Sequence, residues 1–138
     1  MNANKSERGT TLIETLVALL VLSIGLLGVA GLQLTSLQNN RGAHFRSQAQ
    51  VMSYDIADRM RANRDIALKG GYTIAIGATA TGTGVAVVDL NDWKAALAVA
   101  LPGGDGQVET IPGTPMIRIT VQWTDTIGPQ KFTTQTRI

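Results

Sequence analysis

Between Leu16 and Leu34 the chain reads LVALLVLSIGLLGVAGLQL, 19 residues without a charge and with only Ser23 and Gln33 polar. At about 1.5 Å per residue, a helix of this length spans the roughly 30 Å hydrocarbon core of a bilayer. A short polar segment, Met1 to Gly9, precedes it and carries Lys5 and Arg8 against Glu7. Positive residues ahead of an apolar run hold that end in the cytoplasm, so the remainder is expected on the far side of the membrane.

The rest of the composition excludes more than it assigns. Charged residues make up 16% of the 138 residues, below the roughly 25% usual in soluble domains. The net charge of +2 does not describe a chain that seeks polyanions, and nucleic acid is not an expected partner. Cysteine is absent, which removes disulfides, thiolate zinc sites and cysteine nucleophiles. With His44 the one histidine, a histidine-rich metal site is impossible. The expectation is a non-catalytic protein with no cofactor and no metal site.

Three readings compete for the N-terminus. A secretory signal peptide finds small residues at Gly28-Val29-Ala30, but the apolar run is longer than the usual 7–15 residues of such a signal. An uncut membrane anchor is the second. The third rests on Glu14, the one charge between Gly9 and Arg41.

Gly9-Thr10-Thr11-Leu12-Ile13-Glu14, followed by Thr15-Leu16-Val17-Ala18-Leu19-Leu20, resembles the class III signal of type IV prepilins. The resemblance implies that a prepilin peptidase cuts between Gly9 and Thr10 on the cytoplasmic face. It then methylates the new amine on Thr10, and the apolar helix stays on the mature chain. The family's usual first mature residue is Phe; here it is Thr10.

A carboxylate at membrane depth costs roughly 2.5–3.5 kcal/mol on insertion scales and calls for a partner. Cleavage leaves one ammonium beside one carboxylate in each subunit. Glu14 of one subunit can then pair with the Thr10 amine of its neighbour in a helical stack and set the axial register. The local alternative is that Thr11-x-x-Glu14 is a capping box opening the helix. Gly25, Gly28 and Gly31 recur every third residue. They read either as a stretch that melts when subunits leave the bilayer or as glycines that membrane helices tolerate.

From Thr35 the pattern becomes one-sided. Leu37, Phe45, Ala49, Met52, Ile56 and Met60 step mostly by three or four, which marks one helical face. Asp55, Asp58, Arg59, Arg61 and Asp65 lie on the other, with signs interleaved as in a solvated face. The helix is predicted from about Thr11 to Lys69, about 90 Å if continuous, and Gly70-Gly71 ends it. Asn39-Asn40-Arg41-Gly42 is a possible break. His44 just beyond reads as a surface or subunit-facing side chain.

Gly70 to Ile138 forms a small head that needs the amphipathic half of the helix to complete its core. Tyr72 to Ile76 alternates briefly. Gly77 to Gly84 is low in complexity, reads as a flexible surface loop and lacks the lysine of a phosphate loop. Val85 to Val88 is a strand or lead-in, and Asp89 to Leu101 a helix capped by Asp89 or Asn91, with Leu90, Trp93 or Lys94, Leu97 and Leu101 on one face. Gln107 to Ile111 offers a strand. Ile117, Ile119, Val121 and Trp123 alternate strictly with polar residues. A turn from Asp125 to Gln130 leads to a return strand through Phe132, Thr134, Thr136 and Ile138. Trp93 and Trp123 read as core anchors. The simplest assembly is a three- or four-stranded antiparallel meander packed on a long N-terminal helix, an α+β class.

The strings Asp89-Leu-Asn-Asp-Trp-Lys94, Leu101-Pro-Gly-Gly-Asp-Gly-Gln-Val108, Ile117-Arg-Ile-Thr-Val-Gln-Trp-Thr-Asp125 and Ala57 to Arg64 resemble PilV-type minor pilins. Members often carry head cysteines; this chain has none. The resemblance implies a pilin-like plan: leader 1–9, transmembrane and filament-core helix 10–34, amphipathic helix half 35–69 and periplasmic head 70–138. It implies a low-abundance subunit that helps start and tip type IV pili, the fimbriae of adhesion and twitching motility. Its partners would be other minor pilins, the major pilin and prepilin peptidase. Its location would be the inner membrane of a Gram-negative bacterium, then the cell-surface pilus. Minor pseudopilins of type II secretion share the signal and plan, and a tip module for adhesion or DNA binding is the alternative from another class. N-terminal sequencing of membrane-extracted protein is expected to start at Thr10. A start at Gly31 would instead identify a cut signal peptide, and a start at Met1 an unprocessed anchor.

Overall fold

A computed structural model of the chain describes residues 11–138 with their side chains and, for residues 7–10, the helical backbone alone. The expected leader, Met1 to Gly9, and the expected cut between Gly9 and Thr10 fall outside the fully described residues. The elements are α1 (Glu7–Ala62), α2 (Arg64–Leu68), α3 (Val85–Ala100), β1 (Asp105–Thr110), β2 (Met116–Asp125) and β3 (Gly128–Arg137). The chain divides into two compact units, one up to Asn40 and one comprising Arg41–Ile138.

The second unit contains the core and has the expected α+β plan. Its sheet is an antiparallel meander in the order β1-β2-β3. Strict alternation along β2 sends Ile117, Ile119, Val121 and Trp123 inward. They meet Ala49, Ile56, Ala57 and Met60 of α1, with Phe45 and Met52 half-buried beside them. The helical period of three to four and the strand period of two thus supply the two faces of one core. Leu37, assigned to this stripe from its spacing, is exposed instead and lies in the first unit. The predicted stretch at Tyr72 to Ile76 adds only a single bridge, Ile74 to Val108, so the meander has three strands.

Trp93 fixes α3 in place. Its ring is fully buried, and its indole Nε1–H donates to the Met52 carbonyl at 2.9 Å. Gly106 of β1 makes room for it: a Cβ there would lie 2.8 Å from Leu97 Cδ1 and closer still to the Trp93 ring.

Several boundaries differ from those expected. The long helix does not run unbroken to Lys69. It ends at Ala62 because Asn63 leaves helical geometry at φ −117°, ψ 44°. The Asn63 side-chain amide donates to the Arg59 carbonyl at 3.2 Å and to Tyr72 Oη at 3.1 Å. Conversely, the backbone stays helical through Asn39-Asn40-Arg41-Gly42. Propensity penalties of at most about 1 kcal/mol per residue do not outweigh propagation from both sides.

Helix α3 begins at Val85, so Val85 to Val88 are its first turn rather than a strand or lead-in. Gly84 at φ 119° starts it, with no side-chain cap. The expected caps Asp89 and Asn91 lie inside the helix and bind elsewhere. The first strand starts at Asp105 rather than Gln107. The last turn is tighter than expected, with Asp125 paired to Gly128. Strand β3 continues through Pro129 because it is an edge strand, where a missing N–H need not break the ladder.

Gly106→Ala is expected to destabilise the detergent-extracted protein by about 1–3 kcal/mol, the usual range for overpacking. Urea unfolding followed by tryptophan fluorescence measures it. An unchanged midpoint would contradict the packing described.

Candidate functional site

In the first unit, residues 11–40 are helical and exposed throughout. One side chain after another from Leu12 to Leu34 leaves a large apolar surface open, on every face of the helix. The helix is long and apolar enough to cross a membrane. Three of its hydroxyls turn back on their own backbone. Thr15 Oγ1 donates to the Thr11 carbonyl at 2.8 Å, Ser23 Oγ to the Leu19 carbonyl at 2.6 Å, and Thr35 Oγ1 to the Gly31 carbonyl at 3.1 Å. Such i−4 bonds cost little in hydrocarbon, where no water satisfies a free hydroxyl.

Glu14 is the one charged side chain of this segment. It is exposed and makes no hydrogen bond or ion pair with a described residue. The capping-box alternative is not realised in the uncut chain. The backbone is already helical from Glu7, so Thr11 lies inside the helix. Gly25, Gly28 and Gly31 sit in unbroken helix with open space around each.

In the second unit the polar side chains act as latches. Asp89 of α3 accepts from Tyr72 Oη at 2.5 Å and pairs with Arg59 Nη1 at 3.4 Å. Arg59 also reaches Asp55 at 3.1 Å. Burial, and then the Asp89 carboxylate, push the Tyr72 phenol up to about 12. The network therefore joins α1, the start of the loop and α3 at the point where the long helix ends.

A second latch holds the loop after Ile74. Lys94 Nζ donates to the carbonyls of Ala75 at 2.9 Å and Ala78 at 2.6 Å, and pairs with Asp105 Oδ1 at 2.9 Å. Asp105 also accepts from the Gly77 N–H at 2.5 Å and the Gly106 N–H at 2.7 Å. Burial opposes its charge, but the Gly77 amide, Lys94 and the Gly106 amide outweigh burial and hold the carboxyl below its ordinary value. The Asn91 amide clasps Ala80, donating to its carbonyl at 3.0 Å and accepting its N–H at 3.1 Å. Gly77 to Gly84, read from sequence as a flexible surface loop, is thus tied down at Gly77, Ala78 and Ala80.

Sequence reasoning missed Tyr72, Lys94 and Asp105, and took Asp89 and Asn91 for caps. One usable signal existed: Asp89, Asn91 and Lys94 flank the buried Leu90 and Trp93 in α3 and are themselves only half-exposed. His44 is exposed, with its ring centroid 6.1 Å from that of Phe45. Among the described residues, no group of three or more histidine or carboxylate side chains gathers to hold a metal ion.

Comparison with known families gives one match. Residues 4–30 match the prokaryotic N-terminal methylation motif, the signal of type IV pilins and pseudopilins. The match covers residues 4–9 of the expected leader, Glu14 and most of the apolar run. No curated protein and no solved structure matches the chain.

Folding depresses the Asp105 pKa, so its contribution to stability is present above the unfolded value near 4 and is lost as pH falls through the folded one. Asp105→Asn is expected to cost about 1–3 kcal/mol at pH 7, with the gap to wild type narrowing below pH 4. Denaturation midpoints from pH 7 to pH 3 measure this, and a gap independent of pH would contradict it.

Proposed function

We propose that this chain is a minor pilin: a non-catalytic structural subunit that helps initiate and tip type IV pili. The observation that carries the reading is the coincidence of the methylation motif at residues 4–30 with a helix whose apolar side chains are exposed on every face. A signal that is cut and discarded has no need of a helix that continues unbroken to Ala62.

In this reading prepilin peptidase cuts after Gly9, and the head crosses to the periplasm while residues 10–34 stay in the inner membrane. Cleavage creates an amine at Thr10 that the peptidase methylates. The subunit then leaves the bilayer for a filament core built from the same helices of other subunits. There the exposed apolar faces supply adhesion, while Glu14 takes the amine of an adjacent subunit. A desolvated carboxylate without a cation is costly, so the pairing selects one axial register among many that pure apolar contact leaves nearly equal in energy.

The motif serves pilins and pseudopilins alike, and a minor pseudopilin of type II secretion has the same requirements. The preference for a pilus rests on the PilV-like strings in the head. Glu14→Ala is expected to be processed normally at Gly9 yet fall at least tenfold in sheared filaments, measured by quantitative immunoblot against the membrane fraction. Wild-type incorporation of the variant would overturn the pairing role. Detection of the wild-type chain only in secretion complexes, and never in pili, would favour the pseudopilin reading.

A further inference from the structure

Helix α3 has two apolar faces, and the head uses one. Ala86, Leu90, Trp93 and Leu97 are buried in the core. On the opposite side lie Val85, Val88, Asp92, Ala95 and Val99, all exposed, with Val99 at 90%. Their intervals of three, four, three and four residues are those of a helix–helix seam. The middle rung is the charged one. Asp92 forms no hydrogen bond or ion pair with a described residue. The cation nearest in sequence, Lys94, is committed to Asp105 and to the Ala75 and Ala78 carbonyls. A surface helix ordinarily turns a charged face to water; this one turns valines.

We propose that this seam receives a helix from a different filament subunit, one that sets a Lys or Arg opposite Asp92 between two apolar turns. The proposal rests on the filament-subunit reading and names the surface that reading lacks. The spacing selects a helical occupant. The charge selects a basic one, because covering Asp92 without a cation would leave a carboxylate desolvated and unpaired. The same residue disfavours a second copy of this chain. Asp92 is the central rung, so a two-fold pairing along the seam, parallel or antiparallel, brings two carboxylates together. It equally disfavours burial of the seam in lipid.

The test uses a photo-reactive benzoylphenylalanine at Val88 or Val99, and at Thr133 on the exposed face of β3 as control, in cells that assemble filaments. Adducts are identified by mass spectrometry. The expected result is at least fivefold more adduct at positions 88 and 99 than at 133, containing another chain that carries an N-terminal methylation signal. Asp92→Arg is expected to reduce that adduct at least fivefold, and Asp92→Asn to reduce it less, with cleavage at Gly9 and the melting temperature unchanged. Adducts with a second copy of this chain or with lipid, equal yield at position 133, or indifference to Asp92→Arg would each overturn the proposal. If the expected adduct forms in the membrane but the wild-type chain never enters filaments, the filament reading fails and the seam stands.

Discussion

A helix that exposes apolar side chains on all sides cannot be stable in water, and that constraint organises the first unit of this protein. Thr15, Ser23 and Thr35 bond to their own helix's carbonyls, and Leu12 to Leu34 expose apolar side chains on every face. The helix therefore requires either lipid or other helices of the same kind around it. Glu14 is at odds with both environments until a cation reaches it. A peptidase that frees an amine four residues upstream would create that cation on every subunit at once. On the proposed reading, processing and assembly would then answer one electrostatic requirement, while anchoring answers the apolar one.

The second unit solves a different problem, that of a small core. Its sheet has three strands, and the far side of the core comes from α1 and α3. Tryptophan does much of the joining. The Trp93 ring fills the space that Gly106 leaves open, and its N–H reaches across to the α1 backbone. Two carboxylates then lock the irregular chain between α2 and α3. Asp89 acts through Tyr72 and Arg59, and Asp105 through Lys94 and backbone amides. The chain has no cysteine, so these latches are hydrogen bonds and ion pairs rather than disulfides.

What could be read from sequence was what periodicity encodes. The apolar run, the stripe from Phe45 to Met60 and the alternation from Ile117 to Trp123 each bury or expose the faces their spacing implies. The errors fall where tertiary contacts decide. Asn63 ends α1 because its side chain finds Tyr72, a residue nine positions later. Asp89 and Asn91 looked like caps because the start of α3 depends on the backbone of Gly84, which carries no polar signature. Lys94 and Asp105 are distant in sequence and meet only when α3 lies against β1. Glu14 stood out for the opposite reason: it is a lone charge where periodicity leaves no room for one.

The most direct measurement is the distance between Glu14 and a neighbouring amino terminus in assembled filaments. Magic-angle-spinning NMR can measure it when this subunit carries 13C-labelled carboxyls and the other subunits carry 15N. A dipolar contact between the Glu14 carboxyl carbon and an amine nitrogen of another subunit, with Glu14 ionised, is the predicted result. A protonated Glu14 with no such contact would contradict the claim that one subunit's acid is neutralised by the next one's new terminus.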